Sequence, residues 1–165
     1  GEVVDEKPTT IEQMVFQGEG IYTEFKSTLR VNLHTGQKDN AMEHSVIKTI
    51  NGFLNSREGG TLVIGVADDG SALGLGNDLF ENEDKMDLHL GNLISAQLGT
   101  TTMLNIKPSF HDYKGERIFL VDCKPSKVPV YLKKGNDEEF YIRAGGSSAR
   151  LTPSQMTEYI KQRFN

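Results

Sequence analysis

The run Thr61-Leu62-Val63-Ile64-Gly65-Val66-Ala67 constrains this chain more than any other segment. It is continuously apolar, rich in β-branched residues, and bounded by Gly59-Gly60 before and Asp68-Asp69-Gly70 after. A strand that must hide both faces reads this way, because neither row of alternating side chains carries polar groups to meet water. The run therefore predicts a central strand in a sheet with helices packed on it. Asn40 followed by Glu43 makes a capping-box-like start to one such helix, and Val46, Ile47, Ile50, Phe53 and Leu54 recur at helical spacing up to Gly59-Gly60. Met86, Leu90, Leu93, Ile94 and Leu98 form the inner stripe of another, over about Glu83 to Leu98.

The remaining segments fill in the class. Thr9 or Thr10 caps a short helix through Ile11, Met14 and Val15 that ends at Gly18. Ile21 to Lys26 alternates as a half-buried strand, with Tyr22, Glu24 and Lys26 on one face and Ile21, Thr23 and Phe25 on the other. Residues 30–39 read as an exposed loop turning at Thr35-Gly36, and residues 71–78 as a short strand or loop. Residues 105–113 and 116–124 alternate as strands around Lys114-Gly115, a second hairpin turns near Gly135-Asn136, and Pro153 opens a last helix capped by Thr152, with Met156, Tyr159 and Ile160 inward. There is no internal repeat and no long linker, so residues 1–165 are expected to form a single α+β domain with a mixed or antiparallel sheet.

Composition narrows the function classes. A single cysteine, Cys123, excludes an internal disulfide framework and a Cys-rich zinc site; it is expected as a small core residue, and the compartment as cytoplasmic. No stretch approaches the ~18 apolar residues of a membrane span, and the start shows no basic-then-apolar signal pattern. The net charge of -5 argues against a general polyanion binder. However, residues 1–12 hold four acids and one base and residues 78–87 hold five acids and one base, which leaves the rest of the chain at +2. A basic face is therefore permitted. The glycine pairs match neither a Walker loop nor a dinucleotide fingerprint, so no nucleotide cofactor is expected, and the four histidines show no ligand spacing.

Four separated blocks carry the functional reading: GEGIYTEFKST, INGFLNSREGG, TLVIGVADDGSALGLG and EEFYIRAGGSS. In order and spacing they resemble the Schlafen-type AlbA-like domain family over roughly residues 12–150. The resemblance implies an α+β fold, RNA or DNA as partner, and pairing of two domain copies, hence a homodimer of this single-copy chain. Relatives that carry further domains imply an N-terminal piece excised from a longer regulator. In members with metal-dependent RNase activity, two glutamates five apart and an aspartate after the Ile-Gly-Val strand carry catalysis. The matching residues are Glu19, Glu24 and Asp68.

Carboxylate oxygens are hard ligands that hold Mg²⁺ or Mn²⁺ while leaving water in place to attack a phosphodiester. Lys26, on the face of Glu24, is placed to stabilise the transition-state charge. Against this stands turn chemistry at Asp68-Asp69-Gly70 and a simple exposed ion pair between Glu24 and Lys26. Lys26, Arg30, His34, Lys38, Lys124, Lys127, Lys133, Lys134, Arg143 and Arg150 are the candidate phosphate contacts, with Arg30, Lys38, Lys133, Lys134 and Arg143 foremost. Tyr131 or Tyr141 would add stacking. Arg143 has two readings, as a tie between site strands or as a phosphate contact. The rival to a nuclease is a non-catalytic regulatory module of the same fold; a metabolic enzyme with a small acidic substrate is a third class, without a cofactor motif to support it.

Overall fold

The computed structural model describes residues 6–165. The chain forms α1 (Ile11–Gln17), β1 (Thr23–Lys26), β2 (Val31–Asn32), β3 (Gln37–Lys38), α2 (Asn40–Asn55), β4 (Gly60–Ile64) and α3 (Glu83–Leu98). Then follow β5 (Ile106–Tyr113), β6 (Glu116–Cys123), β7 (Leu132–Lys134), β8 (Asp137–Glu139), β9 (Tyr141–Ala144), β10 (Ser147–Arg150) and α4 (Pro153–Arg163). The main sheet runs β1-β4-β6-β5, with β1 parallel to β4 and the other pairs antiparallel; β2-β3, β7-β8 and β9-β10 are small hairpins. The fold is α+β with a mixed sheet.

Strand β4 lies inside the sheet with every residue buried, as its apolar run requires. Alternation sends Leu62 and Ile64 toward α2 and α3, where they meet Ile47, Ile50, Phe53, Leu90 and Ile94 in the main core. Each of these fully buried side chains contributes about 1.5–3 kcal/mol of transfer free energy. Val63 points the other way, into a smaller cluster with Phe25, Ile118 and Met14 under α1. Cys123 is a buried member of the main core.

Local chemistry sets the ends. Thr10 caps α1 and Thr152 caps α4, each with a reciprocal glutamine three residues on, and Gly18 ends α1. Helix α2 starts one residue earlier in capping terms than its sequence suggests, because Asp39 rather than Asn40 accepts the Ala41 N–H. It also stops at Asn55, four residues short of Gly59. Ser56 turns the chain back by donating its N–H and hydroxyl to Phe53 O. Gly59, at φ +72°, instead carries the chain into β4, where a Cβ would stand 2.1 Å from the Cys123 carbonyl oxygen. Lys114 and Gly115 both adopt positive φ in the two-residue β5–β6 turn.

Three expectations change. Residues 30–39 are not wholly an exposed loop: they form the β2–β3 hairpin with Val31 buried. Residues 76–78 form a 3₁₀ turn that buries Asp78. The inward stripe of α4 is only half-buried, Tyr159 donating its hydroxyl to Asn55 O at 2.5 Å.

Two buried asparagines one helical turn apart, Asn51 and Asn55, hold β9 against α2. Asn51 Oδ1 accepts the Tyr141 N–H at 2.8 Å, and Asn55 Nδ2 donates to Tyr141 O at 2.9 Å and Val130 O at 3.0 Å. This fixes the strand that carries Arg143 beside the edge strand β1.

Candidate active site

Strand β1 is in register with β4, pairing Glu24 with Leu62 and Lys26 with Ile64, so both charged side chains face the α2 side at the sheet's edge. Glu19 sits in the turn between α1 and β1, and its Oε1 accepts the Phe25 N–H at 2.9 Å. That bond folds the turn back along the strand and brings Glu19 into hydrogen-bond contact with Glu24. Burial, then the hydrogen bond with Glu24, then the charges of Glu24 and Asp68 push the Glu19 carboxyl up to about 7, against the opposing pull of the Phe25 N–H. Burial alone would raise Glu24 as well. The hydrogen bond from Glu19, the guanidinium of Arg143 and the charge of Lys26 outweigh it and hold Glu24 below its ordinary value. The pair thus shares one proton, with Glu19 as donor.

Arg143 closes the site from β9. Its Nη1 donates to Glu24 Oε1 at 2.8 Å, Nε and Nη2 donate to Gly20 O at 3.0 and 2.7 Å, and Nη2 also reaches Thr23 O at 3.2 Å. Its side chain is 1% exposed. Of the two roles open to it from sequence, the strand tie is the one seen; a guanidinium surrounded by protein acceptors does not present itself to a phosphate. Lys26 Nζ donates to Ser45 Oγ on α2 at 2.7 Å. Ser45 has no sequence signal that marks it, since its role depends on α2 crossing beside β1.

Asp68 is exposed in the turn after β4, and its charge reaches Glu19. Its neighbour Asp69 makes the turn, accepting the Ser71 N–H and hydroxyl, which lower its carboxyl. Gly65, at φ +97°, lets the 65–74 loop return close by, with a built Cβ 3.0 Å from Gly74 O. The three acids therefore act on one another, but among the described residues no three His, Cys, Asp or Glu side chains are grouped so as to hold a metal ion as they stand. Glu19 and Glu24 fit a cation's donor chemistry, because the proton they share is where positive charge is needed; Asp68 stands outside the pair.

A crevice of about 280 Å³ opens beside the pair, lined by residues 17–23 together with Gly145 and Gly146. The Oγ1 of Thr23, a residue of this wall, has no hydrogen-bond partner among the described residues.

The candidate phosphate contacts separate. Arg30 is occupied structurally: Nε and Nη2 donate to Asp78 O and Leu79 O, and the guanidinium stacks 3.6 Å from the Phe80 ring centroid. This packing ties its guanidinium to the turn at residues 78–80. Lys38 is exposed on β3, away from the carboxylate pair in sequence and element, and Lys133 lines a groove with Lys127, Val128 and Tyr131. Lys134, next along β7, lies instead near His44 of α2. Tyr141 is buried and donates its hydroxyl to Glu139, so it offers no stacking face.

A layered α+β domain with a carboxylate pair at an open sheet edge is the class that fold and site define. The family model described as Schlafen AlbA_2 matches residues 19–152, and the chain belongs to that family. Membership is consistent with a nucleic-acid-related role. Among solved structures, the DIP2311 protein of Corynebacterium diphtheriae is similar at TM-score 0.61 and 15% identity over 87% of this chain and 24% of that one. The chain thus spans about a quarter of that protein's length. The N-terminal domain of a RecG-related protein from Nitrosomonas europaea is similar at TM-score 0.46 and 23% identity, covering 79% of this chain and 82% of that one. No curated protein matches the chain. Among the described residues no helix is long and apolar enough to cross a membrane.

Proposed function

We propose that this chain is a nucleic-acid-binding domain whose Glu19–Glu24 pair, joined by Asp68, is the seat of divalent-metal-dependent phosphodiester hydrolysis. The observation that supports it is the meeting of two carboxyls beside a crevice that Glu19 lines, where burial and then the neighbouring carboxyls push Glu19 up to about 7. Glu19 and Glu24 would hold Mg²⁺ or Mn²⁺. The ion, when bound, supplies Lewis acidity toward a phosphoryl oxygen and a more acidic water. The chain's own residues do the rest: Arg143 fixes the Glu24 carboxylate and the Gly20 turn, and Ser45 positions the Lys26 ammonium two residues from Glu24.

Incubation of a labelled transfer RNA and a single-stranded DNA with Mn²⁺, beside EDTA and Glu24→Gln controls, tests the hydrolytic part. Cleavage that stops in EDTA and in the variant supports it; cleavage that persists in the variant belongs to a contaminant. Calorimetry with Mn²⁺ should show one binding event that releases protons below about pH 7 and disappears in Glu19→Gln.

A second reading is a regulatory module of the same fold that binds without cutting. It is favoured by Arg143 occupying a Glu24 oxygen and by the separation of Asp68 from the pair. Gel shifts in EDTA together with an absence of cleavage would select it. The proposal includes a homodimer and a cytoplasmic setting; sedimentation analysis of the purified chain checks the first.

A further inference from the structure

The sequence places lysines all along the chain, yet the fold gathers four cations from four elements onto one side of α2. Lys26 of β1 is tied to Ser45. Lys48 lies one turn further along α2, four residues after His44, and its Nζ stands 5.8 Å from the Tyr141 ring centroid. Across the helix, Glu139 of β8 is a fixed acceptor: its carboxylate takes the Tyr141 hydroxyl at 2.9 Å and Arg150 Nη1 of β10 at 3.0 Å, and lies 3.9 Å from His44 Nε2. Lys134 of β7 completes the set, opposite Asp137 in the hairpin register.

The balance of charge here is unlike the rest of this acidic chain. Glu139 is buried and already paired, Glu24 is paired with Arg143, and Asp137, opposite Lys134 in the hairpin, makes no ion pair among the described residues. Neither Lys48 nor Lys134 makes an ion pair among the described residues. The Arg150 side chain is 57% exposed despite its contact. Burial first, and then the charges of Lys134 and Lys48, hold the His44 imidazole below its ordinary value against the pull of Glu139, so a positive field is felt even at a neutral neighbour. Uncompensated lysines held near one another repel, and a polyanion relieves that repulsion while releasing its counterions.

We propose that Lys26, Lys48, Lys134 and Arg150 form a phosphate track along α2 that leads a nucleic-acid backbone to the Glu24 edge of the sheet. This deepens the function proposed above and rests on it. His44 and Lys48 carry no motif. They are identified only by the helix face that β7, β8 and β10 happen to frame. Lys133, Lys38 and Arg30 lie outside the track.

The test is fluorescence anisotropy with labelled, unstructured RNA and DNA oligonucleotides of one sequence, in EDTA, over a salt series. Four phosphate contacts predict a log–log salt slope of about -3 for the wild type. Lys48→Gln with Lys134→Gln should weaken both probes about tenfold or more at low salt and remove about half the slope. Lys48→Arg with Lys134→Arg should restore both. Lys107→Gln, on the opposite face of the sheet, should change neither. Lys134→Gln alone, at an exposed hairpin, serves if the double variant melts early, and should lose about a quarter of the slope.

Wild-type binding that the track variants leave unchanged, or a loss carried by Lys127 and Lys133 instead, overturns the track while nucleic-acid binding stands. A loss confined to one sugar type also overturns it, because charge contacts are blind to the 2′-hydroxyl. Failure of the wild type to bind either probe at low salt overturns the nucleic-acid reading and the track with it.

Discussion

Asp78 and Glu24 both hold a distant loop with a carboxylate, and they do so with opposite kinds of partner. Asp78, 2% exposed, accepts three consecutive backbone amides: Leu29 N–H on Oδ2 at 2.6 Å, and Arg30 and Val31 N–H on Oδ1 at 2.8 and 3.0 Å. Every partner is a neutral, fixed donor, so no titrating neighbour takes part in holding this carboxylate. Glu24, with a side chain 14% exposed, meets one guanidinium and a second carboxyl. Its environment changes when a proton leaves Glu19. The first arrangement is a finished anchor; the second retains a group that a cation can replace.

Removing the finished anchor should have the largest effect. Asp78→Ala leaves three buried N–H groups without acceptors and frees the turn that Arg30 packs on, for a loss of about 4 kcal/mol in urea unfolding. A loss below about 1 kcal/mol would mean that water replaces the carboxylate and that the contrast with Glu24 is false. Arg143→Met comes next, at about 3 kcal/mol, because it strands the Glu24 charge and the Gly20 carbonyl oxygen. Arg143→Lys should recover only part of this, since a single ammonium cannot reproduce the fork that reaches Gly20, Thr23 and Glu24 together.

These two anchors also mark what the sequence made legible. Helix α3 falls on Glu83–Leu98 as its apolar stripe predicts, and β4 is central as its unbroken run requires. Such features depend on periodicity, which is local. Asp78 is invisible to it: in the sequence it is one acid in a run of five, and its role follows from the amides of residues 29–31, 47 to 49 positions away. The Glu19–Glu24 spacing was readable through the family resemblance, whereas the burial of Arg143 was not, because its partners lie about 120 residues upstream. Lys133 and Lys134 look equivalent in a string and lie by different neighbours in the hairpin. The short β9–β10 hairpin, polar along β10, had no alternation strong enough to announce it.

Glu19 sharpens the comparison through pH. Its folded carboxyl titrates near 7 against an ordinary 4.5, so between those values the folded chain binds a proton that the unfolded chain has released. The stabilisation is full below about 4.5 and fades as pH rises through about 7. Glu19→Gln should flatten that slope and, above pH 7, leave the variant more stable than the wild type by about 1 kcal/mol once solvent screening of this partly exposed group is allowed for. Unfolding curves of both proteins at several pH values decide it: a stability difference between wild type and variant that does not change over the same interval would mean the two carboxyls do not share a proton.

The smallest effect belongs to Thr23, whose buried hydroxyl has no partner among the described residues although the residue lines the crevice beside Glu19. Valine keeps the β-branched shape that the strand favours and removes the cost of an unsatisfied polar group, so Thr23→Val should raise stability by about 0.5 kcal/mol. A finished anchor never gains from losing its polar atom. Where a ligand enters the crevice and uses that hydroxyl, the same substitution weakens RNA binding severalfold while the melting temperature rises. The two readouts moving in opposite directions would place Thr23 with Glu24, among groups left open for a ligand; a higher melting temperature at unchanged affinity would place it with the packing.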